Sequence, residues 1–313
     1  MKFGVYLYPP GGSGNSDDLV RLALGAERMQ FDSVWLGDHV VWPAEFDPTP
    51  HRSNVGGRTP VQAVVKSNVF EPLTTLAFLA AKVERINLGV GVLVAPYRNP
   101  ILCAKMLAML DVLSGGRLIV GVGAGWLREE FTLLGAPAYE QRGDVTDEYL
   151  QSFIELWTAQ EPRFEGRFGR FDGVELNPKP VQKPHPPIWI GGNGTPAMRR
   201  AARFGSGWMP LHQSPAAMAA KTRQLREFAE AGKRDSKELG VALGCRFRFA
   251  DGAGHFIPDP DSLTGTKEQV IDQLRRYREA GVDQVYLLND GYSTVEDLLS
   301  AWDRFASEVM INV

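Results

Sequence analysis

The chain has only two cysteines, and neither stands in a spacing that binds a metal or forms a redox pair. Cys103 lies in an apolar helical segment and Cys245 in an apolar strand-like run, so we expect both to be packing residues. The five histidines are scattered and include no HExxH or comparable pair. The sequence therefore predicts no metal site.

Long apolar runs are also missing. No run reaches the roughly 18 residues that indicate a membrane-spanning helix, and the start MKFGVYLYPP lacks the basic region and cleavage site of a signal peptide. We therefore expect a cytoplasmic protein with no membrane partner. The net charge of −3 lacks the basic excess typical of nucleic-acid-binding proteins, so nucleic acid is not an expected partner.

Strand-like apolar runs alternate with helical segments along the 313 residues. This alternation favours an α/β fold, a closed (β/α)₈ TIM barrel in which residues 1–313 form a single domain. An open doubly wound sheet is the alternative. The predicted strands are Lys2 to Tyr8, Ser33 to Leu36, Ile86 to Val94, Arg117 to Val122, Pro187 to Ile190, Gly207 to Leu211, Leu239 to Phe249 and Gln284 to Leu288.

The stretch from Ile86 to Leu134 is the most informative part of the chain. It predicts two buried parallel strands, INLGVGVLV and RLIVGVGAG, separated by a helix that follows YRN and ends at SGG. Both strands contain glycines near their ends, among them Gly91, Gly123 and Gly125. Glycine weakens a strand unless a ligand or another backbone comes close. The pattern predicts a flat ligand over the sheet, with tight barrel packing as the alternative.

Three segments are longer than a compact barrel needs. Val41 to Phe70 and Asp251 to Gly265 would lie on the C-terminal face, where TIM-barrel active sites are built. Glu161 to Pro186 is an irregular excursion before the fifth predicted strand. The first segment is rich in proline and glycine and is predicted to be a lid over the site. It carries the basic residues His51, Arg52, Arg58 and Lys66.

Asp38 and His39 directly follow the second predicted strand, in SVWLGDHV. A titratable pair at this position would point into the barrel mouth, and histidine exchanges a proton near neutral pH. We therefore consider both as catalytic candidates. The alternative is that Asp38 caps a turn and His39 only forms hydrogen bonds within the loop.

A glycine-rich turn follows the fifth predicted strand and precedes a helix. Its backbone N–H groups, together with the helix dipole, predict an anion site suited to a phosphate; a plain strand-to-helix turn is the alternative. The residues concerned are Gly191, Gly192, Asn193, Gly194 and Thr195.

The segment from Gly121 to Trp126, GVGAGW, is not a dinucleotide fingerprint. Trp126 stands where the third glycine belongs, and no acidic residue ends a strand about twenty positions later. The charged residues after Trp126 are expected to form a solvated helix face. Glu129 is the candidate among them, because it lies near the end of the fourth predicted strand.

These segments together resemble the luciferase-like monooxygenase superfamily, and more closely its actinobacterial F420-dependent oxidoreductases. The resemblance covers nearly the whole chain; no single motif is diagnostic, but their order and spacing are specific. It implies a luciferase-like (β/α)₈ barrel with long insertions on the C-terminal face, a homodimer, and F420 or FMN bound at that face. The segments are SVWLGDHVVWP, EPLTTLAFLAAKVERINLGVGVLVAPYRNP, LDVLSGGRLIVGVGAGWLREEF, RGDVTDEYL, PPIWIGGN and RFGSGWMP.

The resemblance also implies roles for particular residues. Asp38 and His39 would lie beside the deazaflavin, and His39 would exchange a proton. Gly91-Val92 would form a bulge with a non-proline cis peptide that backs the ring, and Gly191-Gly192 would take the cofactor phosphate. The remaining cofactor candidates are Leu93, Gly123, Gly125, Glu129, Asn193, Gly194 and Thr195, and the substrate candidates are Tyr8, Trp42 and Trp126.

Three functions follow as hypotheses. The first is an F420-dependent oxidoreductase that transfers a hydride between the deazaflavin C5 and a small organic substrate. The second is an FMN-dependent monooxygenase; either could be served by a separate F420 or flavin reductase. The third, a non-catalytic cofactor-binding protein, is disfavoured by His39. Relatives that oxidise a sugar phosphate have a glutamate where this chain has Trp126, so that activity is not implied, and the substrate is left open.

We predict that the protein binds F420 more tightly than FMN. F420 carries an acidic tail, and the basic side chains of the long second loop, Arg52, Arg58 and Lys66, would attract it. The F420 affinity should weaken as salt rises, because salt screens exposed charges. Fluorescence titrations with both cofactors at two ionic strengths test this. Micromolar FMN binding without detectable F420 binding would favour the monooxygenase instead.

Overall fold

A computed structural model describes residues 1–10, 14–46, 68–250, 261–289 and 291–313. The strands of this part are β1 (Lys2–Tyr6), β2 (Ser33–Leu36), β3 (Asn87–Val94), β4 (Leu118–Gly123), β5 (Phe164–Glu165), β6 (Arg170–Phe171), β7 (Ile188–Gly191), β8 (Gly207–Met209), β9 (Gly240–Phe249), β10 (Leu263–Gly265) and β11 (Gln284–Asn289). The α-helices are α1 (Ser16–Arg28), α2 (Pro72–Ala80), α3 (Pro100–Leu113), α4 (Arg128–Leu133), α5 (Arg142–Thr158), α6 (Thr195–Phe204), α7 (Pro215–Ala231), α8 (Lys267–Glu279) and α9 (Val295–Arg304).

Eight parallel strands close into a barrel. Their order is β1, β2, β3, β4, β7, β8, β9 and β11, and β11 pairs again with β1. The predicted (β/α)₈ barrel is therefore confirmed, and the open sheet is wrong. β10 is an addition that pairs with the last three residues of β9.

The excursion before β7 contains regular structure that the sequence did not suggest. β5 and β6 form a small antiparallel hairpin. The Glu148 carboxylate on α5 accepts hydrogen bonds from the backbone N–H groups of Arg167, Phe168 and Gly169 at 2.8, 2.5 and 2.7 Å. These bonds hold the hairpin turn against α5.

The helices begin at recognisable caps. The Asn99 side chain accepts hydrogen bonds from the backbone N–H groups of Ile101 and Leu102, and Pro100 occupies the first turn of α3. The Thr266 and Gln269 side chains form a reciprocal capping box at the start of α8. None of the helices in the described part of the chain combines the length and apolar character needed to cross a bilayer.

Large side chains fill the barrel lumen, and glycines on neighbouring strands make room for them. A Cβ at Gly89 would lie 2.3 Å from the Trp35 ring, and one at Gly121 would lie 2.8 Å from Met209 Sδ. A Cβ at Gly123 would lie 2.5 Å from a Val92 methyl group. Protein side chains thus occupy the space at these glycines, as the alternative of tight barrel packing expects, and the flat ligand over the sheet stays a prediction.

The end of β3 departs from regular strand geometry as predicted. The Gly91-Val92 peptide is cis, and the pairing with β4 shifts register between Val90 and Leu93. Gly91 and Val92 consequently face the same side, toward the lumen cluster of Trp35 and Met209. Leu93 instead lies fully buried in the core between barrel and helices, so its side chain does not back a ligand in the lumen as expected.

Two predicted loops fall largely outside the described residues. In the predicted lid from Val41 to Phe70, positions 47–67 lie outside them, including the four basic residues of the segment. In the predicted segment from Asp251 to Gly265, positions 251–260 also lie outside the described residues. The lid stays a prediction.

We predict that Gly89→Ala destabilises the barrel. The new methyl group would overlap Trp35, which is fully buried and whose Nε1 donates to Ser33 Oγ at 2.8 Å. Such overpacking costs about 1–3 kcal/mol of unfolding free energy. Guanidinium-induced unfolding measures the change.

The matched control is Gly143→Ala on α5, where a Cβ would come no closer than 3.6 Å to a neighbouring side chain. It should leave stability unchanged or raise it by up to about 1 kcal/mol, because alanine favours helices. Equal stability of the two variants would contradict the packing argument.

Candidate active site at the C-terminal face of the barrel

Asp38, which follows β2, is locked in a buried ion pair. Its carboxylate accepts hydrogen bonds from Arg98 at 2.6 and 2.9 Å and from the Val94 backbone N–H at 2.9 Å. Arg98 also donates to Glu71 at 2.7 Å. Burial raises the pKa of Asp38, and the Arg98 guanidinium opposes that rise. These bonds join the loop after β2 to the loop after β3. Because both oxygens of Asp38 are engaged, its carboxylate is not placed to exchange a proton with substrate.

His39 is held by a second buried carboxylate. Its Nδ1 lies 2.9 Å from Glu130 Oε2, and the Glu130 side chain is inaccessible to solvent. The same carboxylate accepts hydrogen bonds from the backbone N–H groups of Val40 and Val41, at 2.7 and 3.1 Å, and from the Tyr97 hydroxyl at 2.9 Å. Burial disfavours the charged form, but the His39 side chain and then the backbone N–H groups of Val40 and Val41 outweigh it, so the pKa of Glu130 lies below its usual range.

The contact with Glu130 determines which nitrogen of the His39 ring carries a fixed hydrogen and which can exchange a proton. An ionised Glu130 accepts a hydrogen bond from Nδ1–H, which leaves Nε2 as the nitrogen that can take up and release a proton. The sequence placed His39 correctly at the end of β2 but did not identify its partner.

Glu129 is the cofactor candidate from the sequence, but the carboxylate that contacts His39 is that of its neighbour Glu130. A periodic signal could have distinguished them. Leu127, Glu130 and Phe131 recur at the i, i+3, i+4 spacing of the buried helix face and are all buried, whereas Glu129 is only half-buried. A charged residue within such an apolar stripe indicates a buried partner.

Aromatic rings surround the His39 imidazole. Trp42 stacks on it with ring centroids 4.2 Å apart, and Trp126 meets it edge-on at 5.8 Å. Phe46 lies against both indoles, at 5.9 and 6.4 Å. The Trp42 Nε1 atom is buried and has no hydrogen-bond partner in the described part of the structure, so it is a donor that a bound molecule could satisfy.

Tyr8, the third substrate candidate, follows β1, the strand that pairs with β2. Its ring stacks on that of Tyr6, with centroids 5.5 Å apart. Burial raises the pKa of Tyr8 to about 12. The Tyr6 hydroxyl donates to the Gly91 carbonyl at 2.9 Å and so supports the bulge.

The predicted cofactor residues of three adjacent strands meet at Val92. Its methyl groups would lie 2.5 Å from a Cβ at Gly123 and 2.3 Å from one at Gly191, so they rest directly on these glycines. Gly125 does not contact Val92 in this way but lies in the turn after β4. It has a φ of +83°, and a Cβ there would meet Phe131 and Val94.

The predicted phosphate turn joins β7 to α6. Gly194 caps α6 without a side-chain acceptor, and Thr195 begins the helix. The Asn193 side chain accepts a hydrogen bond from Leu211 N–H at 2.9 Å, and Lys221 Nζ donates to the Asn193 carbonyl at 3.0 Å. The first-turn N–H groups of α6 are thus left for water or an anion, with a lysine nearby.

Across the described ranges, no three or more histidine, cysteine, aspartate or glutamate side chains are grouped in a way that could hold a metal ion. The carboxylates near the barrel mouth are already engaged by Arg98 and His39.

The family model for luciferase-like monooxygenases matches residues 1–255. The chain belongs to the luciferase-like monooxygenase family. Its known members include enzymes that use either reduced FMN or F420, as the similar proteins below show by name.

Among the similar proteins are one named for reduced FMN and others named for F420. The FMNH₂-dependent dimethylsulfone monooxygenase of Pseudomonas putida is 32% identical, over 78% of this chain and 67% of that one. The F420-dependent glucose-6-phosphate dehydrogenase of Amycolatopsis mediterranei is 30% identical, over 74% and 65%. The structure of an F420-dependent secondary alcohol dehydrogenase with an F420-acetone adduct superposes with a TM-score of 0.78 at 19% identity, covering 99% and 98%; this likeness shows the shared fold.

We predict that Glu130 makes stability depend on acid pH. Because its folded-state pKa is depressed, its ionised form stabilises the fold above the ordinary glutamate value of about 4.3. This contribution is lost as pH falls through the lower folded-state value. Glu130→Gln should be less stable than wild type by about 1–3 kcal/mol at pH 7, and the difference should shrink on acidification.

Urea unfolding at several pH values between neutrality and acid measures this difference. Tyr97→Phe removes one of the donors to Glu130 while leaving the charge unchanged, and it should show a weaker dependence than wild type. A difference between wild type and Glu130→Gln that stays constant with pH would rule out an ionised Glu130.

Proposed function

We propose that the protein is an F420-dependent oxidoreductase that transfers a hydride between the deazaflavin and a small organic substrate at the C-terminal face of the barrel. The observation that carries the proposal is the position of His39. It follows β2, the strand that pairs with the bulged strand β3, and is held by the buried Glu130 carboxylate.

The described residues fit a flat ring with a phosphate-bearing side chain. The half-buried Val92 presents an apolar surface at the top of the lumen, beside strands whose ends are glycine. Gly194 and Thr195 offer the start of α6 to the phosphate. When bound there, the deazaflavin would supply the carbon that gives or accepts the hydride.

His39 would handle the accompanying proton. When a hydride leaves a carbon that bears a hydroxyl group, the hydroxyl proton must also leave; in the reverse direction a proton must be supplied. His39 Nε2 is suited to hold that proton, because Glu130 fixes Nδ1–H. The rings of Trp42 and Trp126 would keep water from this nitrogen, and Trp42 Nε1 could donate to the substrate oxygen.

An FMN-dependent monooxygenase is the second candidate, and the similarity to the Pseudomonas putida enzyme favours it. Either activity could use a separate reductase that supplies the reduced cofactor. A binding protein without turnover is disfavoured, because it would have no use for a histidine whose Nε2 is left to exchange a proton at the barrel mouth. We further propose a homodimer, since the neighbouring helices α2 and α3 expose Phe78 and Leu102, 42% and 57% accessible. A cytoplasmic location stays the expectation from the sequence.

We predict that His39→Ala lowers turnover by about 10²-fold or more, because the proton acceptor is lost. F420 affinity should change little, since the ring contacts assigned to Val92 are retained. The assay follows F420 absorbance with a substrate found by screening alcohols and carbonyl compounds, and cofactor binding is measured separately by fluorescence.

His185→Ala is the matched control. His185 packs against Trp157, with ring centroids 5.9 Å apart, and its Nδ1 lies 2.8 Å from the Pro186 carbonyl, in the loop before β7. It should leave turnover unchanged. Near-normal turnover of His39→Ala would remove His39 from the reaction.

A further inference from the structure

Tyr97 ends the short turn that follows the bulged strand β3. This 3₁₀ turn (Ala95–Tyr97) comes directly after the strand. The Tyr97 side chain is buried, and its ring meets the Phe131 ring of α4 edge-on, with centroids 5.1 Å apart. Because Phe131 directly follows Glu130 in the chain, this contact holds the Tyr97 hydroxyl beside the Glu130 carboxylate.

The Tyr97 hydroxyl shares one oxygen of Glu130 with His39. It donates to Oε2 at 2.9 Å, and His39 Nδ1 lies 2.9 Å from the same atom. The other oxygen, Oε1, accepts the backbone N–H groups of Val40 and Val41. Since Tyr97 and His39 draw on the negative charge of the same atom, the strength of each bond depends on the presence of the other.

The phenol of Tyr97 acts on Glu130 only as a donor. Burial, and then the Glu130 carboxylate, raise the pKa of Tyr97 far above its usual value, and Asp38 and Tyr139 raise it further. The other charged groups of the surrounding elements are Arg98, which binds Asp38, and Arg128, Glu129 and Arg142 near Tyr139. Tyr97 therefore keeps its proton and takes up part of the carboxylate charge without adding a charge of its own.

This donation affects how tightly Glu130 holds the His39 ring. With both donors in place, the charge of Oε2 is divided between them. Without the hydroxyl, the carboxylate would bind Nδ1–H more strongly, and the His39–Glu130 pair would keep an added proton up to higher pH. A group that must return its proton in each cycle works best when that proton is not held too tightly.

We propose that Tyr97 is a positioning residue for proton transfer, which acts through Glu130 to keep His39 able to release the proton that it takes from the substrate. This inference rests on the proposed function, because it assigns the substrate proton to His39 Nε2. It also connects the two strand ends at the barrel mouth, since Tyr97 follows the bulged strand β3 and His39 follows β2.

Tyr97→Phe removes the hydroxyl and keeps the ring, and its effect on His39 is first measured without cofactor. NMR of protein labelled with ¹⁵N-histidine observes the Nδ1–H group directly. The chain has five histidines, and the signal that disappears in His39→Gln is that of His39. In Tyr97→Phe this Nδ1–H signal should move downfield, because its charge-assisted hydrogen bond to Oε2 becomes stronger.

The second measurement is the pH profile of turnover. In the direction that oxidises a hydroxyl group, activity rises with pH as the His39–Glu130 pair loses its proton. Tyr97→Phe should move this acid limb to higher pH by about half a unit, which is roughly a threefold change in proton affinity. A purely structural role of Tyr97 would instead lower turnover by the same factor at every pH.

Tyr139→Phe is the matched control. It removes a hydroxyl from the same aromatic cluster, but this hydroxyl donates to the Trp126 carbonyl at 3.0 Å. The Nδ1–H signal and the acid limb should therefore stay at their wild-type positions. In a Glu130→Gln background, Tyr97→Phe should add no further shift, because the charge through which it acts is gone.

An unchanged Nδ1–H signal or an unmoved acid limb in Tyr97→Phe would overturn the proposal. So would an equal shift in Tyr139→Phe, or a shift that persists in the Glu130→Gln background, since either would show an effect of packing. If the protein has no F420-dependent turnover, the proposed function fails, but the NMR comparison still decides whether Tyr97 controls the bond between Glu130 and His39.

Discussion

The barrel closes around a lumen that is packed with large side chains. Trp35 and Tyr286 are buried there, with Trp189 packed against them. Such rings fit only because the strands beside them carry glycine, as at Gly89 against Trp35 and Gly244 against Tyr286. Because the lower lumen is packed, the C-terminal mouth is the place within the barrel where a ligand can approach, and the site geometry follows from this constraint.

Two buried carboxylates then fix the chain where β2 emerges from the barrel. Asp38 binds Arg98 and the backbone after the β3 bulge, and Glu130 reaches from α4 to His39 and the two residues after it. Burying a carboxylate is costly unless each oxygen is satisfied, and here both are. The result is a histidine whose orientation is set by Glu130 from α4 and by the stacked Trp42 of its own loop.

The same architecture serves both cofactor chemistries found among the relatives, so the fold does not choose between them. At the mouth of this barrel, the His39–Glu130 pair lies at the end of the strand next to the β3 bulge. In a (β/α)₈ barrel, residues after each strand can vary without disturbing the closed sheet.

The barrel, its eight parallel strands, and the positions of His39 and of the bulge at Gly91-Val92 could be predicted from the sequence. Strand alternation and glycine punctuation are local signals, and the family resemblance supplied the bulge. The apolar spacing of Leu127 and Phe131 marks Glu130 as the buried carboxylate, but its partner His39 lies ninety-one positions away and became visible only in the folded chain. The tertiary structure also showed that Asp38 is engaged by Arg98, sixty positions away, and that strand glycines accommodate Trp35 and Val92, since such contacts depend on which side chains the closed barrel brings together.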